Sequence, residues 1–297
     1  MRTAYPAMGV ALAALAATGG LGGCSTAFSG TFMVDELTIL AVRTQPAEIV
    51  YDLDLLRQDW LEEIPVPTQM YVGALAANPE SMGGRNAIER YQWTLGDPPL
   101  EGTPTLVSDR PELMLQGESV APALEIFGGE DGSLSPAELA ELLESGPLRI
   151  PLVVTAIAGP QSATAVKMLT IRGTDDGVVT PNENPTAEGL DIGDLSWNET
   201  QLLNLQDEPL GLPADTLPRG SRVDFTVNPE DDTKDGDVVS TLYTTGGSIM
   251  WSSESMRTWW LDVPDDDYPF ESFEVFVILR DLEGAQSWLT VVPEFAP

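Results

Sequence analysis

Short stretches in which apolar and polar residues alternate recur along this chain, and they predict β-strands. In Glu89–Leu95 the tyrosine, the tryptophan and the last leucine fall on one face of an extended segment. Ser221–Val227 alternates in the same way, with two valines and a phenylalanine together. Further strands are predicted at Leu37–Val42, Gln69–Ala77, Glu112–Gln116, Arg149–Ala158, Ala163–Arg172, Leu190–Leu195, Val238–Thr244, Gly246–Trp251, Arg257–Val263, Phe273–Arg280 and Ala285–Val292.

One segment has the spacing of an α-helix instead. Ser135 is a good N-cap, Pro136 suits the first helical position, and Glu138 completes a capping box. Three leucines in the next five residues form the apolar stripe, and Gly146 ends the pattern. The sequence therefore predicts a helix near residues 136–145.

The segment Gly173–Gly189 is rich in turn residues and lacks apolar periodicity, so we place a domain boundary there. The prediction is a mainly β protein with two immunoglobulin-like β-sandwich domains, the first with an inserted short α-helix. The first sandwich covers residues 32–173, a linker covers 174–189, and the second sandwich covers 190–297. The boundary also separates two regions that are each long enough to bury a core of their own.

The first residues have the features of a secretory signal. Arg2 is the only charge before Asp35, and Met8–Ala17 is an apolar run too short to span a bilayer. Small residues follow up to Gly23, so residues 1–23 are predicted to be a signal peptide. The alternatives are an ordinary secretory signal, or a short buried helix with an incidental cysteine.

The end of this segment, Leu21-Gly22-Gly23-Cys24, resembles the bacterial lipobox. The resemblance implies that Cys24 carries a thioether-linked diacylglycerol and, after cleavage, an acylated amine. Three acyl chains would hold the protein durably on a membrane. Ser25 follows the cysteine, and in the lipoprotein pattern this favours the outer membrane, facing either the periplasm or the cell surface. Residues 24–31 would then form a short tether.

Composition excludes several classes of function. The formal net charge is −33, which argues against nucleic acid as a partner and against electrostatic adsorption to anionic lipid. The chain has no histidine and a single cysteine, which excludes a Ser–His pair, a histidine-ligated zinc site and an internal disulfide. We therefore predict that the protein is not an enzyme, although chemistry based on paired carboxylates or on a Ser–Lys pair stays open.

Calcium is the one cofactor that the sequence makes worth weighing, and we expect none as the default. Asp231, Asp235 and Asp237 lie at spacings found in calcium loops, but the position of the closing glutamate is Leu242. A solvated acidic hairpin loop is the other interpretation. A second stretch, Phe127–Glu138, lacks most carboxylate ligands, and the capping box explains its last residues.

Tryptophans in the second half are candidates for a carbohydrate-binding platform, with core packing as the alternative. Trp259 and Trp260 are adjacent in a predicted strand, so they must point to opposite faces. One of the two is therefore expected at the surface, where Trp251 and Trp288 could extend the platform.

The order of these segments resembles a set of exported lipoproteins of unknown function from myxobacteria-like Gram-negative bacteria. The final section is also similar to bacterial Ig-like modules, in which a glycine-rich turn, a core tryptophan and an Arg-Asp-x-x-Gly hairpin recur. The resemblance implies a fold and a location, and it implies no catalytic residues. The segments that carry it are the lipobox, Leu37–Pro46, the Trp93 strand, Pro181–Pro185, Thr244–Met250, Trp259 and Val277–Gly284.

These observations predict an outer-membrane-anchored lipoprotein that acts as a non-enzymatic structural or interaction module of the cell envelope. The alternative is a Ca²⁺-supported protein that binds carbohydrate or another envelope polymer. Expected partners are the membrane, through the lipid on Cys24, and envelope proteins or polysaccharide.

Overall fold

The structure is a computed structural model, and Phe32–Pro297 form one compact unit in it. The predicted signal, Cys24, the tether and the loop with Asp231, Asp235 and Asp237 lie outside the described residues. The structure describes residues 32–65, 69–80, 87–96, 99, 105–125, 127–128, 134–175, 182–205, 208–212, 217–229, 238–251 and 257–293.

The first half of the described chain contains eight strands and three helices. In chain order these are β1 (Thr38–Gln45), β2 (Glu48–Asp52), α1 (Leu53–Leu56), β3 (Gln69–Ala77), β4 (Arg90–Leu95), β5 (Leu106–Ser108), β6 (Glu112–Gln116), α2 (Gly117–Glu125), α3 (Pro136–Ser145), β7 (Leu148–Ala158) and β8 (Gln161–Thr174).

The second half contains nine strands and one helix. These are β9 (Ala187–Ile192), β10 (Leu195–Asn198), α4 (Glu199–Leu203), β11 (Leu210–Leu212), β12 (Arg222–Pro229), β13 (Val239–Thr244), β14 (Ser248–Trp251), β15 (Thr258–Asp262), β16 (Val275–Arg280) and β17 (Gln286–Pro293).

Two sheets from the first half enclose one hydrophobic core. Their strand orders are β1-β3-β6 and β2-β8-β7-β4-β5. Tyr91, Trp93 and Leu95 point inward together, as their alternation predicts, and all three are buried. Their cross-strand neighbours on β7, Ala156, Val154 and Leu152, are buried in the same core, so this core is filled by alternate residues of paired strands.

Two further sheets enclose a second core in the same way. Their orders are β10-β9-β12-β15-β14 and β11-β17-β16-β13. Phe225 and Val227 of β12 are fully buried there, opposite Val275 and Val277 of β16. The last two strands form a hairpin, in which β16 pairs antiparallel with β17 along the whole length of β16.

A third core joins these two pairs of sheets into a stack of four layers. Leu75 and Ala77 of β3 pack there with Phe276 and Ile278 of β16. Each of these strands thus buries apolar residues on both faces. The sheets β1-β3-β6 and β11-β17-β16-β13 are therefore the inner layers, and the other two sheets are the outer layers.

The first described residues pair with the second half of the chain. Val34 N–H donates to the Thr244 carbonyl at 2.7 Å, and Phe32 N–H donates to that of Ile249 at 3.3 Å. The Phe32 ring meets Trp259 edge-on, with centroids 5.3 Å apart. Residues assigned from the sequence to the first domain thus help to cover the second core, and the two-domain division stays a prediction.

The structure shows the mainly β class, and it also contains elements that the sequence analysis missed. The capping box of α3 is formed, with Ser135 and Glu138 each bonding the other's backbone N–H. The strands β5, β10 and β11 and the helices α2 and α4 were not predicted. Tyr51–Glu63 predicts a strand followed by a helical turn, and the structure has the end of β2 followed by α1 there. Among the described residues, no helix has both the length and the apolar character needed to span a membrane.

Candidate functional site

A groove opens where the two inner sheets stop packing against each other. On β1 and β3, Ala41 and Leu75 still belong to the third core. Two residues further along β1, Arg43 lies opposite Gly73, and Gly73 lies opposite Glu112 of β6. In the row formed by Arg43, Gly73 and Glu112, this face of the sheet β1-β3-β6 therefore changes from apolar to polar. Apolar side chains no longer pack against the other inner sheet there.

Trp288 of β17 fills the space that Gly73 leaves. A Cβ atom at position 73 would lie 3.4 Å from Cη2 of Trp288, and a longer side chain would displace the indole. Arg43 covers the ring, with its guanidinium carbon 4.5 Å from the ring centroid, and its Nη2 lies 3.2 Å from Glu112 Oε1. The cation–π contact and the ion pair together fix the inner end of the groove.

Tyr71 lies in the next row and is the main exposed aromatic residue of the groove. It lies opposite Gln45 on β1 and Met114 on β6, and it is 53% exposed. Beyond it, Gln69 continues the same face of β3. The groove has a volume of about 1000 Å³, and Trp288 and Thr290 of β17 line its opposite side.

The segment between the two halves forms a third wall. Asn184 binds both halves at once, because its Nδ2 donates to the Thr44 carbonyl at 2.9 Å and its Oδ1 accepts from Gln286 N–H at 3.2 Å. Ser287 Oγ donates to the carbonyl of Pro185. This wall is therefore held by hydrogen bonds from both sides, which keeps the groove open in a fixed shape.

Helix α4 forms the fourth wall. Asn198 caps it, because its side-chain oxygen accepts a hydrogen bond from Gln201 N–H at 3.0 Å. The side-chain oxygen of Gln201 in turn accepts one from Asn198 N–H at 3.0 Å. Leu202 is buried in the second core, and Leu203 next to it is 55% exposed on the groove. The helix thus presents an anchored apolar side chain to the groove.

A buried polar network lies next to the groove and fixes the linker. Glu48 is 5% exposed and accepts from Arg172 Nε at 2.7 Å and from Asn182 N–H at 2.8 Å. Asn182 Nδ2 in turn donates to Asp281 Oδ2 at 2.6 Å. Because the network joins β2, β8 and the β16–β17 hairpin, removing one member would leave a buried charge without its partner.

Lys167 reaches the same hairpin from the first half of the chain. It is 7% exposed and donates from Nζ to the carbonyl of Gly284. Burial lowers its pKa from 10.5 to about 8; the carboxylate of Asp281 opposes this shift, and Arg280 adds to it. This ammonium group therefore sits where its charge is poorly solvated.

The groove is suited to binding an elongated ligand by stacking and hydrogen bonding. Tyr71 and Leu203 offer apolar surface, and Gln45 and Gln69 offer amide groups that both donate and accept. The sequence of β3 does contain a signal for this site, because Tyr71 and Gly73 are two residues apart and therefore lie on the same face of the strand. Tyr71, Arg43 and Leu203 were not predicted from the sequence as site residues.

The structure places the predicted tryptophans in separate environments. Trp259 is 6% exposed and packs in the second core, so it is a core residue. Trp260 points outward, half-buried, with the Arg222 guanidinium 5.7 Å from its ring centroid. Trp251 packs against the second core, and only Trp288 lines the groove. The four residues therefore do not form one platform.

The calcium prediction falls largely outside the described residues. The described part of the chain contains no group of three or more acidic, cysteine or histidine side chains that could hold a metal ion. Ser135 and Glu138 are engaged in the helix cap, as the capping motif predicts. Asp231, Asp235 and Asp237 stay a prediction.

No known protein family matches this chain, and no curated protein is similar to it. A 1.5-MDa bacterial ice-binding adhesin is similar at 14% identity and a TM-score of 0.24, over 88% of this chain and 64% of the adhesin chain. A Ca²⁺-stabilised adhesin of an ice-binding Antarctic bacterium is similar at 15% identity and a TM-score of 0.25, over 90% of this chain and 49% of the adhesin chain.

A chimeric titin Z1Z2 chain is similar at 13% identity and a TM-score of 0.20, over 77% of this chain and 89% of the titin chain. At TM-scores this low, none of these similarities carries an argument about fold or function.

Proposed function

We propose that this protein is a lipid-anchored, non-enzymatic interaction module of the cell envelope, built from two immunoglobulin-like sandwiches. The observation that carries the proposal is the groove between the inner sheets, with the exposed Tyr71 at its centre. A four-layer scaffold with an open groove that contains an exposed aromatic residue is suited to holding a partner in place. The lipid on Cys24 would supply the attachment to the outer membrane.

The lining favours an uncharged saccharide strand of an envelope polymer as the ligand. Its charged residues are one arginine, Arg43, and three glutamates, Glu112, Glu183 and Glu208. Because Arg43 is paired with Glu112, an anionic ligand would meet mainly negative charge. A sugar ring stacked on Tyr71 would leave its hydroxyl groups within reach of the glutamine amides.

The lipid anchor is tested by replacing the predicted acceptor. Cys24→Ser should leave the protein as unprocessed precursor or as soluble protein, because neither the thioether nor the acylated amine would form. Membrane fractionation and labelling with a radioactive fatty acid measure both effects. Equal membrane association of the variant and the wild type, without label, would contradict lipid anchoring.

The groove is tested by removing its exposed aromatic ring. Tyr71→Ala should weaken binding to purified envelope polysaccharide roughly tenfold, equivalent to about 1.4 kcal/mol, because the stacking surface is lost. Affinity electrophoresis in gels that contain the polysaccharide measures the change. The matched control is Trp60→Ala, since Trp60 is 67% exposed and does not line the groove.

Three outcomes of the binding experiment would count against parts of the proposal. Equal retardation of both variants and the wild type would exclude the groove as the saccharide site. Shortening of the polysaccharide during incubation would contradict a non-enzymatic role. Binding that needs millimolar Ca²⁺, compared with NaCl of matched ionic strength, would instead support the calcium-dependent alternative.

A further inference from the structure

One outer sheet carries acidic residues only on its edge strand β2, which contains Glu48 and Asp52. In the sheet β2-β8-β7-β4-β5, none of the residues of β4, β5, β7 and β8 is an aspartate or a glutamate. This is unusual in a chain with 47 acidic residues and a net charge of −33. The inward-facing residues of these strands fill the first core, so the outward-facing residues form a face of their own.

This acid-free face, defined as the outward residues of β4, β5, β7 and β8, is apolar at its centre and exposed. Val107 is 59% exposed, Val166 is 51% exposed and Met168 is 41% exposed. Val153 and Thr155 of β7 lie between these strands, directly opposite Val166 and Thr164. Apolar and hydroxyl-bearing side chains therefore share the centre of the face.

The opposite end of the stack has the composition expected of a solvated face. In the outer sheet β10-β9-β12-β15-β14, the outward residues include Asp191, Asp224 and Asp262. Asp262 is further bound by Arg222, with Nε and Oδ1 2.7 Å apart. The two outer faces of one molecule thus differ sharply, and only one of them resembles a surface that stays in water.

We propose that the acid-free face binds the same face of a second copy of this chain, in a dimer with two-fold symmetry. Such an interface is self-complementary, because each copy presents the same uncharged centre to the other. Packing two sheets face to face is also how this molecule already joins its inner layers, through the third core.

Charge limits where two copies of this chain can touch. Two chains of charge −33 repel each other, and any contact that includes another outer surface brings carboxylates together. Contact through the acid-free face keeps the carboxylates of both copies away from the interface. Arg90 and Arg149 lie near the two ends of the face, and a third guanidinium, that of Arg172 on β8, is paired with Glu48 of β2. No unpaired carboxylate is therefore buried.

The size of the face predicts a weak dimer. Four strands spaced about 4.8 Å apart, and a length of eight residues at about 3.4 Å each, give roughly 500 Å² per copy. The total of roughly 1000 Å² lies at the lower limit of specific protein interfaces, so we expect dissociation in the micromolar range.

The test is sedimentation equilibrium of the full-length protein in density-matched detergent, at low and high NaCl. Wild type should form dimers, and Val166→Asp should raise the dissociation constant at least tenfold, because it places a charge at the centre of the face. The control is Val239→Asp on β13, since Val239 has nearly the same exposure, 50%. Val107→Asp is a second disrupting variant, in case Val166→Asp lowers the melting temperature.

Dimerisation should strengthen as NaCl rises from 0.05 to 0.5 M, because salt screens the repulsion between the two chains. Dimers that weaken with salt would indicate an attraction between the arginines and an acidic surface, and would overturn the proposal. Open-ended oligomers, a wild type that stays monomeric, or equal effects of Val166→Asp and Val239→Asp would overturn it as well.

Discussion

Gly247→Ala should lower the free energy of unfolding by about 3 kcal/mol or more. The new methyl group has no space, and the left-handed backbone conformation at this position disfavours every residue that has a Cβ atom. Gly247 has φ of +72°, which alanine adopts only with strain. A Cβ atom there would lie 2.1 Å from the carbonyl oxygen of Asp262 and 3.0 Å from Cδ of Pro264. Both obstacles belong to the backbone or to a rigid ring.

The turn that contains Gly247 has little freedom to relax. It connects β13 to β14, and so passes from one sheet of the second sandwich to the other. The Thr244 side chain fixes the turn, since its hydroxyl oxygen accepts a hydrogen bond from Gly246 N–H at 3.2 Å. Shifting the turn to fit a methyl group would therefore separate the sheets that enclose the second core.

The matched control is Gly211→Ala on β11. A Cβ atom at Gly211 meets nothing within 4 Å, and its φ is not positive. Its free energy of unfolding should stay within about 0.5 kcal/mol of the wild type, or rise slightly because the unfolded chain loses freedom. Urea unfolding followed by circular dichroism measures both variants. Similar midpoints for the two variants would show that the turn accommodates a side chain.

The sequence was most informative where one face of a strand meets a core and the other meets water. Tyr91, Trp93 and Leu95 are buried as their alternation predicts, and Phe225 and Val227 are buried in the same way. Such patterns depend only on the two-residue period of a strand, so the buried positions can be predicted without knowledge of the fold. The helix cap at Ser135 is equally local, and it too is formed.

The missed elements are those whose local signals conflict. Helix α2 contains Pro122, and a proline inside a segment argues against a helix. Helix α4 is only five residues long, and its Asn198 cap has no apolar stripe after it. Strands β5 and β11 have three residues each, too few for alternation to show. Tertiary packing decides the structure of such segments.

The groove could not be located from the sequence because it depends on how two sheets meet. Gly73 and Trp288 are distant in sequence, and only the stacking of the inner layers brings them together. A glycine within a strand does predict a close approach, but it does not name the partner. Likewise, Trp259 and Trp260 were predicted to face opposite sides, and the structure shows which of them faces inward.

Raising the pH from 7 to 10 should stabilise the wild type by about 2 kcal/mol more than it stabilises Lys167→Met. Burial lowers the pKa of Lys167 from 10.5 to about 8 in the folded protein, against the opposing effect of Asp281. Between these two pKa values the unfolded chain binds a proton that the folded chain has released. Stability therefore rises with pH in this window, and methionine removes the titration.

The measurement is urea unfolding of both proteins at several pH values up to 10. Burial raises the pKa of Tyr51, Tyr91 and Tyr268 to about 12, so stability is lost above pH 10 as the unfolded tyrosines ionise. This loss is common to both proteins and marks the upper end of the useful range. Arg110→Met is the control, because it removes an exposed cation instead of a buried one.

The difference between wild type and Lys167→Met should change with pH, whereas the difference between wild type and Arg110→Met should stay constant. The difference is expected because the ammonium group of Lys167 is poorly solvated between β8 and the hairpin of β16 and β17. Parallel pH curves for wild type and Lys167→Met would mean that Lys167 keeps an ordinary pKa. In that case its side chain reaches water, and the contact with Gly284 does not persist in solution.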